Sequence, residues 1–186
     1  MVPLSALWLP VLLSAVLVFV ASSVIHMLLR YHDADYQPVP GEDDVQAALR
    51  RFNLTPGDYM LPCAGGMKEL QSQAFLDKMR RGPVVTMTVL ENRPPALGAN
   101  LAMWFVFALI VGVLCAYVAG LVLPVGVRYR LVFRVVSTVA FTAYAMALWQ
   151  MSIWYRRAWG STLRATLDGV IYALLTGGAF GWLWPR

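Results

Sequence analysis

Four apolar runs, each long enough to cross a lipid bilayer, constrain this chain more than any other feature: residues 4–29, 98–123, 131–154 and 165–184. A membrane helix needs about 20 predominantly apolar residues to span about 30 Å of hydrocarbon. The first two runs carry no charge, the third holds only Arg134, and the fourth holds only Asp168. Composition agrees: 59% of residues are hydrophobic and 13% charged, against about 45–50% and about 25% in ordinary soluble domains. A soluble domain of 186 residues leaves roughly a third of its unfolded surface wet, and this chain lacks the polar residues to cover it. An ordinary soluble enzyme, a disordered chain and a disulfide framework are thereby excluded. The expected fold is an all-α membrane protein, a four-transmembrane-helix bundle. A small α+β soluble insert, residues 30–97, separates helices 1 and 2.

The first run is expected to stay as a span rather than be cleaved. No positive charge precedes it, and it exceeds the 7–15 residues of a signal-peptide core. With four spans, both termini share one side, and the insert shares the other with the loop at residues 155–164. The insert side collects Arg30, Arg50, Arg51, Lys68, Lys78, Arg80, Arg81, Arg93, Arg156, Arg157 and Arg164; the other side has Arg128, Arg130, Arg134 and Arg186. Lys and Arg concentrate on the cytoplasmic side, so the insert is expected in the cytoplasm and both termini outside.

Within the insert, Glu42, Asp43 and Asp44 open a helix, because acidic groups suit its positive N-terminus. Val45, Ala48, Leu49 and Phe52 then share one face. Thr55-Pro56-Gly57-Asp58 reads as a turn and Met60–Gly66 as a shaped loop. Residues 67–81 read as a single helix with Leu70, Ala74 and Met67 inward. Residues 84–90 read as a strand.

Two runs carry small residues every fourth position: Ala108, Gly112, Ala116 and Gly120 in the second, Gly169, Ala173, Gly177 and Gly181 in the fourth. Such stripes let helix backbones approach in lipid, where dispersion contacts drive association. The expectation is parallel contact between the second and fourth spans along Gly112/Ala116 and Ala173/Gly177, inside one copy or between copies.

The polar residues of the spans gather at one end. His26, Gln150, Ser152 and Asp168 all fall near the cytoplasmic ends of their runs, with His26, Gln150 and Asp168 roughly 5–6 Å inside the interface. Ionisable groups at such depth are rare and paired, so His26 and Asp168 are expected to interact directly or through Gln150 or a water. The group either orders the bundle or handles protons. Directly after the first run comes Tyr31-His32-Asp33-Ala34-Asp35-Tyr36. Tyr31 and Tyr36 read as interfacial anchors, while His32, Asp33 and Asp35 offer metal-ligand chemistry together with His26. His26 and His32 are six residues apart, so a continuous helix points them to different faces.

No P-loop, dinucleotide fingerprint, serine-hydrolase elbow or HExxH is present. Cys63 and Cys115 read as unrelated free thiols. No cofactor is indicated. The net charge of +5 comes from basic residues flanking apolar runs and is no nucleic-acid footprint. The expected partners are the lipid bilayer and either further copies of the chain or other membrane subunits.

The order Ser22-Ser23-Val24-Ile25-His26-Met27, then Tyr31–Tyr36, then Ser152-Ile153-Trp154, Asp168-Gly169-Val170-Ile171-Tyr172-Ala173-Leu174 and Trp182-Leu183-Trp184-Pro185 resembles a set of uncharacterised bacterial four-span inner-membrane proteins. That resemblance implies an architecture and no activity. The expected role is a non-catalytic accessory or scaffold component of a membrane complex or homo-oligomer. A small transporter or proton-coupled protein working through His26 and Asp168, and a metal-dependent membrane enzyme, are the alternatives.

Overall fold

A computed structural model describes residues 1–186. Its elements are α1 (Trp8–Met27, entered through a 3-10 turn Leu4–Leu7), α2 (Glu42–Arg50), β1 (Gly57–Leu61), α3 (Met67–Leu70), α4 (Gln73–Arg81), β2 (Val85–Val89), α5 (Leu97–Val122), α6 (Tyr129–Ala145), α7 (Trp149–Tyr155) and α8 (Trp159–Leu183). The chain divides into a helical unit, Met1–Gln37 with Ala96–Arg186, and a second unit, Pro38–Pro95.

Four helices of the first unit are long and apolar enough to cross a membrane: Leu4–Met27, Leu97–Val122, Tyr129–Tyr155 and Trp159–Leu183. The third is interrupted by a 3-10 turn, Met146–Leu148, between α6 and α7. The fourth begins six residues before the expected 165, and the expected loop at 155–164 shrinks to residues 156–158. Arg156, Arg157 and Arg164 suggested an aqueous loop, but Arg164 is helical and spends its charge on a carboxylate described below.

The helices pack as a closed ring in the order α1, α5, α6, α8 and back to α1. Each runs opposite to its neighbours. Val2 near the start of the chain donates a backbone hydrogen bond to Gly120 at the end of α5 (2.9 Å). At the other end of the same pair, Trp104 Nε1 donates to Ser22 Oγ (2.8 Å). Trp184 Nε1, just past α8, donates to the Pro124 carbonyl of the α5–α6 connection (3.0 Å).

The small-residue stripes are used, but not as expected. α5 and α8 stand diagonally across the ring, and their stripes do not meet. The α5 stripe faces α1: a Cβ on Gly112 would sit 3.2 Å from Val11, and one on Gly120 would sit 2.6 Å from the Val2 carbonyl. The α8 stripe faces α6: a Cβ on Gly169 would lie 2.7 Å from that of Ala145, one on Gly181 would lie 2.6 Å from the Tyr129 ring, and one on Gly177 would collide with Ser137. Ala108, Ala116 and Ala173 are buried on the same stripes. The reason is topological. The short α5–α6 and α7–α8 connections make those spans antiparallel neighbours, and a ring of four leaves the second and fourth spans opposite each other.

In the second unit, β1 and β2 form an antiparallel pair with Gly57 opposite Val89 and Leu61 opposite Val85. The pairing displaces the expected turn and loop, since Gly57–Leu61 is strand. The expected single helix over 67–81 is broken at residues 71–72. Ser72 caps α4 by accepting from the Phe75 amide (3.2 Å), which is the usual N-cap role of serine. Phe75 is the buried apolar side chain of this unit, whereas Met67, Leu70, Val45, Leu49 and Phe52 are exposed.

The close α6–α8 crossing generates a prediction. Gly177→Leu should destabilise the bundle by about 1–3 kcal/mol, the usual cost of forcing extra volume into packed structure. Gly178→Ala, whose added Cβ would meet only the Tyr129 hydroxyl at 3.9 Å, should be neutral. Thermal unfolding in detergent micelles measures both, and equal behaviour of the two variants would contradict the crossing.

Candidate functional site

The site forms where the chain leaves α1. The helix ends at Met27, and Arg30 adopts a left-handed conformation (φ 52°). The chain therefore reverses before a 3-10 turn, Tyr31–Asp35. That reversal cancels the angular argument of a continuous helix. The rings of His26 and His32 lie 4.5 Å apart, and the Tyr31 ring lies 4.5 Å from His32. The turn also packs against α8.

Asp168 is the hub. It sits nine residues into α8, roughly 13 Å along the helix at 1.5 Å per residue, and it is buried. His32 Nε2 lies 2.8 Å from its Oδ2, and the Tyr31 hydroxyl donates to its Oδ1. His26 Nε2 stands 3.9 Å from Oδ2, with half of the His26 side chain exposed. The other ring nitrogen of His32, Nδ1, lies 2.7 Å from Asp35 Oδ2. Arg164, one helical turn before Asp168, donates through Nε to Asp35 Oδ1 (2.8 Å). Two carboxylates thus hold one imidazole between them, and the arginine neutralises the outer carboxylate. Each charged group has a partner, as burial requires.

The surroundings show in the ionisation of the two groups on the turn. Burial, then the bond to Asp168 and the nearby negative charges, push the Tyr31 phenol above its ordinary value. Burial by itself would raise the Asp35 carboxyl. Hydrogen bonds from His32, Arg164 and Ser161, with the Arg164 charge, outweigh that and lower it from 3.8 to about 2. Tyr31 accordingly stays a donor and Asp35 stays an anion across the ordinary pH range. Toward the middle of the bundle the site is walled by aromatic rings: Trp104 packs against Phe107, Tyr144 and Tyr172.

The residues expected from sequence divide clearly. His26 and Asp168 are adjacent, but the strong partner of Asp168 is His32. Gln150 is exposed and takes no part in the cluster. Ser152 is buried but pairs with Thr162 (2.7 Å). The expected metal group of His32, Asp33 and Asp35 is not assembled. Asp33 is exposed and paired with Arg30 (2.9 Å), and Asp35 faces the far nitrogen of His32. A 3-10 turn carries side chains three apart to one face, so Asp35 reaches His32 while Asp33 turns outward. The donor atoms that do converge belong to His26, His32 and Asp168, all within 4.8 Å of one another. Tyr31 and Arg164 were missed as site residues. The i, i+4 spacing of Arg164 and Asp168 on one helix face was the available signal for the second.

Arg164 anchors Asp35 and Gln150 touches nothing in the cluster, so the two substitutions should separate. Arg164→Ala should cost about 1–3 kcal/mol by leaving the largely covered Asp35 carboxylate without its arginine donor, and Gln150→Ala should cost nothing measurable. Unfolding of the micelle-embedded protein reads both, and a silent Arg164→Ala would contradict the arrangement.

Comparison with models of known protein families, with curated proteins and with solved structures finds no match.

Proposed function

We propose that this chain is a multi-pass integral protein of a bacterial inner membrane, serving as a non-catalytic accessory or scaffold component of a membrane complex or homo-oligomer. The observation that carries this reading is the outer face of the bundle. Exposed side chains along α1 (Trp8, Leu12, Val16, Val20), α5 (Met103, Val106, Ile110, Leu114) and α8 (Leu163, Leu167, Leu174) are apolar. Water tolerates no such continuous surface on a soluble monomer; lipid or a partner helix does. The polar cluster supports a structural part in this role, because its members bond chiefly to one another and fasten the 31–35 turn to α8.

For orientation, the bundle itself is balanced. Arg30, Arg156, Arg157 and Arg164 stand at one end, and Arg128, Arg130, Arg134 and Arg186 at the other. The seven Lys and Arg of the Pro38–Pro95 unit break the tie and favour a cytoplasmic insert with both termini outside. A second reading, proton coupling, draws on His32 lying between two carboxylates. Under it, Asp168→Asn abolishes a proton-driven flux while the protein still folds. Under the accessory reading, the same variant only loosens the turn.

A single cysteine at Gln46, with Cys63→Ser and Cys115→Ala, should resist an impermeant thiol reagent in intact cells and react after permeabilisation. Labelling of intact cells would invert the topology. Native mass spectrometry of the detergent-extracted protein should show further copies or companion subunits; a bare monomer under gentle extraction would contradict the scaffold role.

A further inference from the structure

We infer that His26, His32 and Asp168 form a binding site for one divalent first-row transition metal ion, which ties the end of α1 and the 31–35 turn to α8. The three donor atoms lie within 4.8 Å of one another. Ligands about 2.0–2.2 Å from a tetrahedral ion stand about 3.3–3.5 Å apart. The His32 Nε2 to Asp168 Oδ2 distance of 2.8 Å and the His26 Nε2 to Asp168 Oδ2 distance of 3.9 Å bracket that separation. Both are within about 0.7 Å of it.

The groups behind His32 favour a metal more specifically than the distances do. His32 presents Nδ1 to Asp35 at 2.7 Å, and Asp35 is itself held by Arg164 at 2.8 Å. In the neutral ring, a carboxylate that accepts a hydrogen bond from Nδ1–H favours the tautomer in which Nε2 carries a lone pair. This carboxylate–histidine arrangement is the common support of a metal-bound imidazole. His32 Nε2 faces Asp168 Oδ2 at 2.8 Å, where a proton on Nε2 bridges the two atoms in the metal-free site and a divalent ion takes the place of that proton. The Tyr31 hydroxyl donates to the other oxygen of Asp168, which leaves Oδ2 free to ligate. The half-exposed His26 ring opens a path for the ion from the aqueous end of the bundle. Two imidazoles and one carboxylate favour zinc, iron, cobalt or copper over magnesium or calcium, which prefer all-oxygen shells. With three protein ligands, the fourth position is open to water.

The test uses the full chain, purified in detergent and stripped with a chelator. Zinc in equilibrium dialysis should bind at one equivalent per chain, and cobalt should give the intense visible absorption of a tetrahedral nitrogen–oxygen site. His26→Ala removes an exposed side chain, so it should fold normally yet lose at least about tenfold in zinc affinity. Asp35→Asn should weaken binding about 10–100-fold by removing the carboxylate behind His32 Nδ1. Asp33→Asn, outside the set, should bind like the parent. Zinc should also raise the unfolding temperature of the parent and not of His26→Ala. A folded His26→Ala that binds zinc as tightly as the parent would overturn the site, as would absence of stoichiometric binding by the parent. Neither result would bear on the scaffold reading, which native mass spectrometry tests separately.

Discussion

The helical unit depends on one buried carboxylate. Asp168 lies well inside an apolar helix, where an unpaired charge would be prohibitive. The chain meets that cost by folding the segment after α1 back over it. The left-handed residue Arg30 turns the backbone, the 3-10 turn brings Tyr31 and His32 to the two carboxylate oxygens, and Arg164 and Asp35 complete the charge balance on the outer side. Remove the carboxylate and, of these bonds, only the one from Arg164 to Asp35 still ties the turn to α8. Remove the turn and the helix carries an unpartnered anion. Each explains the other, and the same contacts create the converging donors at His26, His32 and Asp168.

Around this hub the bundle is held by close backbone approach. Close contact of this kind is what holds apolar helices together where water is absent. The pairs α1–α5 and α6–α8 use glycine and alanine where they cross, with Gly112 and Gly120 on one side and Gly169, Gly177 and Gly181 on the other. The aromatic residues Trp104, Tyr144 and Tyr172 fill the interior below the polar end. One end of the bundle is thus polar and charge-paired, and the middle is apolar. That division suits a protein whose polar end meets water while its flanks meet lipid.

The four helices were legible because apolar length is a strong signal and needs no tertiary information. The stripes were legible as stripes, but which helix each one met was not. Spacing of four identifies a face, and only the ring order says what lies opposite. The start of α8 was misread because Arg164 looked like a loop residue, and its partner Asp35 lies 129 positions away in sequence. The role of His32 was hidden for a related reason. A helix continued past Met27 would carry it away from His26, and nothing local announces the reversal at Arg30. The strand Gly57–Leu61 was hidden inside a turn signature because its pairing partner, Val85–Val89, is remote.

His32 and Asp168 are expected to be energetically coupled across the bundle. A double-mutant cycle of His32→Ala and Asp168→Ala, read by unfolding in lipid nanodiscs, measures that coupling directly. Residues in contact show interaction energies of about 0.5–3 kcal/mol, and a contact made on a buried carboxylate belongs in the upper part of that range. The account predicts a favourable coupling of about 1 kcal/mol or more. Additivity of the two substitutions to within about 0.3 kcal/mol would contradict it.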